Sequence, residues 1–144
     1  MKPLLGRIPP VVLVALGGGL GSLARVAASA SLADGDTPWV APWMATASIN
    51  LIGSVLAGFV WATLASPHAA LPTRRLSLSA FALTGFFGGF TTFSGFGLQT
   101  AQLAGGGRFD AAMWNLWIAL IVAVGGAMLG SFLARSVREQ RGNA

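Results

Sequence analysis

The sequence predicts an all-α membrane protein with four transmembrane helices, and three observations carry that expectation. Hydrophobic residues make up 54% of the 144 positions and charged residues 9%, with a mean hydropathy of +0.71. Soluble domains carry about 25% charged residues, so four acids and nine bases are too few to solvate a globular surface of this size. Apolar stretches recur four times, each near the roughly 20 residues that a bilayer core of about 30 Å demands. The length allows a single domain, 1–144, and argues with the composition against a small soluble enzyme. Cysteine is absent, which removes disulfides, thiolate catalysis and cysteine metal sites. The net charge of +5 sits between the apolar stretches, where lipid headgroups account for it better than nucleic acid does.

The first helix is expected over about residues 8–32, after Lys2 and Arg7. Those two bases, the apolar run and Ala28-Ser29-Ala30 imitate a signal peptide. Gly17-Gly18-Gly19, Gly21 and Arg25 interrupt that pattern, so the segment is read as a span. A polar turn with Asp34, Gly35, Asp36 and Pro38 leads to a second helix over about 40–64, closed by Ser66, Pro67 and His68. The loop through Arg74 and Arg75 precedes the third helix, about 76–103. Gly105-Gly106-Gly107-Arg108 makes the next turn, and Asp110 is placed to cap the fourth helix, about 111–134, before a basic tail. Glycine, at 20 residues, lies mostly inside the apolar stretches, as close helix packing or broken helices require.

Polar groups in hydrocarbon need a reason. All four acids, Asp34, Asp36, Asp110 and Glu139, fall at loops or in the tail, which leaves no intramembrane carboxylate to carry a proton. His68 is alone in a loop and reads as solvated. Thr46, Asn50 and Ser54 recur every four residues and form one polar stripe, followed by Gly58. The stripe fits either interhelical hydrogen bonding or a pore lining in which the Asn50 amide donates to an anion. In the third stretch, Gly85 through Gly97 is a poor continuous helix, because its glycines cost about 1 kcal/mol each and Thr91-Thr92 is β-branched. A break near Gly88 to Thr92 would free carbonyls suited to a small cation and a half-helix N-terminus suited to an anion. Phe93 and Phe96 share a face beyond it, either as packing or as electropositive ring edges toward an anion. Arg25 falls near a helix end, to snorkel or to draw anions into a vestibule. Asn115 is the polar residue of the fourth stretch, while Gly126 and Gly130 have close-packing spacing.

Three motifs carry a resemblance over nearly the whole chain. Gly17-Gly18-Gly19-Leu20-Gly21-Ser22-Leu23-Ala24-Arg25, Asn50-Leu51-Ile52-Gly53-Ser54 and Gly85-Phe86-Phe87-Gly88-Gly89-Phe90-Thr91-Thr92-Phe93-Ser94 closely resemble the fluoride channels called Fluc or CrcB. The resemblance implies an antiparallel, dual-topology dimer in a bacterial plasma membrane, with a third helix broken mid-membrane. It also implies two fluoride pores and a structural sodium ion (Na+) at the dimer centre. On this reading the main-chain carbonyls of Gly88 and Thr91 hold the sodium, and Phe93, Phe96, Asn50 and Arg25 line the fluoride path. Thr92 and Ser94 lend hydroxyls, and Asn115 starts the fourth helix's contribution. Two departures stand out: Gly95 replaces the family's usual Thr or Ser, and Ala119 and Ala123 replace its hydroxyl track.

The function expected is passive, non-enzymatic export of fluoride from the cytoplasm. The alternatives are a non-transporting structural membrane subunit, or one half of a heterodimeric channel. The last has a basis in charge. Lys2, Arg7, Arg74, Arg75, Arg135, Arg138 and Arg141 share one side of a four-span chain, against Arg25 and Arg108 on the other. That bias predicts both termini in the cytoplasm for most copies. A homodimer is favoured over a pair with an inverted paralogue because the pore motifs are nearly complete.

Overall fold

Helix α1 begins at a proline, whose missing N–H costs nothing in a first turn. In the computed structural model, which describes residues 8–32, 42–64 and 73–142, α1 spans Pro10–Leu32 and α2 spans Pro42–Leu64. The readings placed on Lys2, Arg7, Asp34, Asp36 and His68 lie outside the described residues. A short α3 (Thr73–Ser79) continues into a π-helical stretch (Ala80–Phe87) and a last α-turn (Gly88–Phe90). Two extended residues follow, then α4 (Phe93–Gly105) and α5 (Phe109–Gly142). Four stretches are long and apolar enough to cross a membrane: Pro10–Leu32, Trp43–Leu64, Arg74–Gly105 and Phe109–Gln140.

Glycines set which helices touch. A Cβ on Gly17 would fall onto the Phe81 carbonyl oxygen, one on Gly21 onto that of Phe86, and one on Gly89 onto that of Gly18. The backbone of α1 therefore lies directly against the π-helical stretch and the turn after it. A second seam joins α2 to α5, where a Cβ on Gly58 would meet the Ala127 carbonyl and one on Gly130 the Val55 carbonyl. Ser131 adds a hydrogen bond from Oγ to the Gly58 carbonyl, 3.2 Å. This is the small-residue packing that replaces hydrophobic burial between helices in lipid. Few side chains are buried, notably Leu13, Ile49, Phe96, Ala112 and Ala134, and most large apolar residues face outward. Outward apolar surface is what a lipid-facing chain requires.

Three features differ from the sequence reading. The non-helical backbone is narrower than Gly88 to Thr92: Gly88, Gly89 and Phe90 stay helical, and only Thr91 (φ −77°, ψ 154°) and Thr92 (φ −138°, ψ 116°) are extended. Packing against Gly18 supports the glycine backbone that propensity alone disfavours, while the β-branched threonines take the strand-like conformation they prefer. The π-helical stretch upstream was not foreseen. Finally, α5 starts at Phe109, so Asp110 stands inside its first turn and favours the helix dipole from there rather than as the cap. The helix also runs on to Gly142, because Arg, Glu and Gln are good helix formers in water. Between α4 and α5, Gly107 takes φ +75°, a conformation that glycine alone adopts without strain.

At one end of the bundle, Arg75 donates to the Leu64 carbonyl (3.4 Å) and Arg138 to the Thr63 carbonyl (3.3 Å). Two arginines from different helices thus meet the C-terminus of α2, where unpaired carbonyls and the helix dipole favour positive charge.

Candidate functional site at the interrupted third span

Thr92 is the hinge of the site. Its hydroxyl caps α4 by accepting the Gly95 N–H at 3.1 Å, and it lies 3.3 Å from the Ser94 hydroxyl. Its N–H leaves the helical ladder and donates to Asn50 Oδ1 at 2.8 Å, while its carbonyl accepts from Asn50 Nδ2 at 3.1 Å. These diversions have a consequence for the turn before it. The Gly88 carbonyl does not receive the Thr92 N–H, and the Thr91 carbonyl does not receive the Gly95 N–H, the donors a continuous helix would supply. The Thr91 hydroxyl points back to the Phe87 carbonyl, 2.8 Å.

The intervening Gly89 carbonyl is occupied. Arg25 Nε donates to it at 3.2 Å and Ser22 Oγ at 3.5 Å. Arg25 is half-buried and tied to backbone, a cation placed against the C-terminal end of a helical turn. This placement is neither free snorkelling nor an unattached vestibule charge.

Beside the break lies a cleft of about 540 Å³ between α2, α4 and α5. It brings together Asn50, Ser54, Thr91, Thr92, Phe93 and Phe96, with Met113, Trp117, Ala119 and Ala123 of α5 on the opposite wall. Phe93 is 82% exposed and Phe96 only 7%. Their ring centroids are 5.5 Å apart and the rings are tilted by 56° to each other. Ser94 is exposed at the mouth beside Thr92, and Gly88 and Arg25 stand outside the cleft lining.

Asn115 belongs to a second, smaller space behind Phe96, about 10 Å³, shared with Asn50, Phe96, Thr46 and Gln99. That is close to the room one water needs. Asn115 Nδ2 donates to the Thr100 hydroxyl at 2.9 Å, and Thr100 passes the chain on to the Phe96 carbonyl at 3.0 Å. Gln99 Nε2 donates to Thr46 Oγ1, also 2.9 Å. Sequence reasoning missed Gln99 and Thr100. Their spacing of three and four from Phe96 was the available signal, since it puts polar groups on the face beside that ring. Among the described residues no buried side-chain polar atom lacks a partner. Position 95 is also explained in part, because a Cβ there would stand 3.3 Å from the capping Thr92 hydroxyl.

Chemically the cleft offers hydroxyls, an amide, a helix N-terminus and aromatic edges. The only acids among the described residues, Asp110 and Glu139, lie in the first turn and the tail of α5. Among these residues no three His, Cys, Asp or Glu side chains gather to hold a metal.

Comparisons with known proteins agree with the motifs. Residues 12–131 match the family model described as CrcB-like protein, Camphor Resistance (CrcB). The chain is 36% identical to the fluoride-specific ion channel FluC of Opitutus terrae over 133 residues, covering 90% of this chain and 96% of that protein. It is 35% identical to the fluoride-specific ion channel FluC 1 of Rhodopseudomonas palustris over 145 residues, covering 99% and 98%. A third relative, the fluoride-specific ion channel FluC of Rhodospirillum centenum, is 36% identical over 129 residues, covering 88% and 95%. With four apolar spans and a match over most of its length, the chain is a multi-pass membrane protein that belongs to the CrcB-like family.

Proposed function

We propose that this protein is a passive, fluoride-selective channel that lets fluoride leave the cytoplasm down its electrochemical gradient. The observation that carries the reading is the cleft that gathers Asn50, Thr92, Phe93 and Phe96 with no carboxylate beside them. Fluoride is small and strongly hydrated, so a pore must replace its water with donors. Thr92 Oγ1 accepts from Gly95 and pairs with the Ser94 hydroxyl, and since one O–H of that pair serves their mutual bond, the other is left to donate. The N-terminus of α4 adds positive partial charge, and the Phe93 edge is electropositive. A fixed negative charge would repel the ion, and the cleft has none.

The cleft is open on one side, and Phe93 is too exposed for an apolar ring in a finished pore. A second copy of the chain, inverted with respect to the first, supplies the missing wall in this proposal. The turn Gly88–Phe90 and Thr91 then face their counterparts at the centre of the dimer. Sodium fits there on the donor set: the carbonyls of Gly88 and Thr91 lack their helical N–H partners, and hard oxygen donors suit a hard monovalent cation. Bound sodium would neutralise the oxygens at the break and join the two protomers. Fluoride efflux from liposomes holding the purified protein, followed with a fluoride electrode, tests the reading. No efflux above empty liposomes would instead favour a structural subunit.

One observation supports a second arrangement, in which the partner is an inverted paralogue. Arg75 and Arg138 converge on the end of α2, which gathers basic charge at one end of the bundle. Such a bias favours one orientation. Cysteine labelling at Ala144 in intact cells separates the two: access from both sides supports the homodimer, and access from one side without efflux supports the heterodimer.

A further inference from the structure

We infer that Asn50 is a positioning residue whose carboxamide acts first on the protein's own backbone, by clamping Thr92 and so setting where α4 begins. The inference rests on the channel reading and changes what Asn50 does in it. Both ends of the amide are engaged by one residue: Nδ2 donates to the Thr92 carbonyl at 3.1 Å, and Oδ1 accepts the Thr92 N–H at 2.8 Å. Thr92 has strand dihedrals, φ −138° and ψ 116°. A strand residue normally exchanges this pair of bonds with a neighbouring strand, and here a side-chain amide stands in for the neighbour.

The requirement explains the residue type. A carbonyl beside an N–H demands one donor and one acceptor at fixed spacing, which an amide supplies and a carboxylate or hydroxyl does not. The backbone also decides which end of the amide is oxygen. Without the clamp, a peptide N–H and C=O inside an apolar span would lack partners, a cost the bilayer makes severe. Thr92 is the cap of α4, so the direction of its hydroxyl and of the adjoining Phe93 ring follows from the backbone that Asn50 holds. One amide hydrogen remains for the cleft, so contact with the anion is a secondary duty.

The test is an amide-to-ester replacement at Thr92, which removes the N–H but keeps every side chain. It is measured alone, with Asn50→Ala alone, and with both together. Fluoride efflux is expressed per folded protein, counted from the fraction that elutes like the parent and melts in one cooperative transition. The expected result is a loss of roughly tenfold for each single change, the usual cost of one unmatched buried partner. The combined variant should be no slower than the slower single, because both changes remove the same contact. The half-saturating fluoride concentration of the ester should stay at the parent value while its maximal rate falls.

Ester efflux at the parental rate, or a loss that only mirrors a smaller folded fraction, would overturn the inference. So would losses that multiply, since that pattern places the ester's effect in the weakened Thr91 carbonyl and not in the clamp. If the unmodified protein moves no fluoride, the channel reading fails by itself. The clamp is then judged by the melting temperatures of the same three variants, where additive shifts reject it.

Discussion

Between α1 and the π-helical stretch, Gly17 and Gly21 bring two backbones so close that any added methyl would strike a carbonyl oxygen. Between α4 and α5, by contrast, a cleft of about 540 Å³ stands open and Phe93 projects 82% exposed. The first face is sealed and admits no solvent. The second is lined with hydroxyls, an amide and aromatic rings and leaves one of those rings exposed. The thirteen residues Gly85 to Gly97 touch both faces, so one motif serves as packing at its start and lines the candidate site at its end. Arg25 and Asn50 mark the boundary, holding Gly89 from the α1 side and Thr92 from the α2 side.

The sharpest way to break this contrast is to disturb a sealed seam. Gly130→Ala and Gly21→Ala each force a methyl onto backbone, and each should cost about 3 kcal/mol or more, at the upper end of overpacking. Thermal melts in detergent check this, with loss of the monodisperse peak as the extreme outcome. Arg25→Gln comes next. Removing the charge-assisted bond to the Gly89 carbonyl should cost about 1–3 kcal/mol in the same assay. On the open face, Phe93→Leu should leave the melt nearly unchanged, while Phe96→Leu, at a buried ring, should cost about 1 kcal/mol of stability; in both, fluoride efflux per folded protein should fall at least about tenfold, equivalent to roughly 1.4 kcal/mol of barrier. Normal efflux in both would remove the rings from the ion path. The smallest effects belong to glycines with open space around them. Gly19→Ala and Gly125→Ala should be neutral or stabilising by up to about 1 kcal/mol, since helix propensity improves and nothing is struck.

Much of this architecture was legible in the residues, for reasons that differ by element. Four spans follow from length and apolarity, because a bilayer imposes one length scale. The interruption before Phe93 was legible from Thr91-Thr92 and the surrounding glycines. Its confinement to two residues was not, because Gly89 packs in the helical turn against Gly18, a partner about 70 positions away along the chain. The role of Asn50 was half legible: the stripe with Thr46 and Ser54 announced a polar face, but only the fold shows that its partner is a peptide group. The π-helical stretch had no signature in the sequence, since a π turn is imposed by packing and not by residue preference. The same is true of Arg25, whose carbonyl partner lies in another span.

The length of α5 has a mechanical consequence. Thirty-four residues at about 1.5 Å each make a rod of roughly 51 Å, against an apolar core of about 30 Å. About 20 Å of it must stand among headgroups and water, and the exposed Arg135, Arg138, Glu139 and Gln140 fix which end does so. The helix thus works as a depth gauge, whose polar post sets how far the chain sinks into the bilayer. As bilayer thickness changes, the post holds its own end level with the headgroups around it, and the adjustment falls to the opposite end of the bundle.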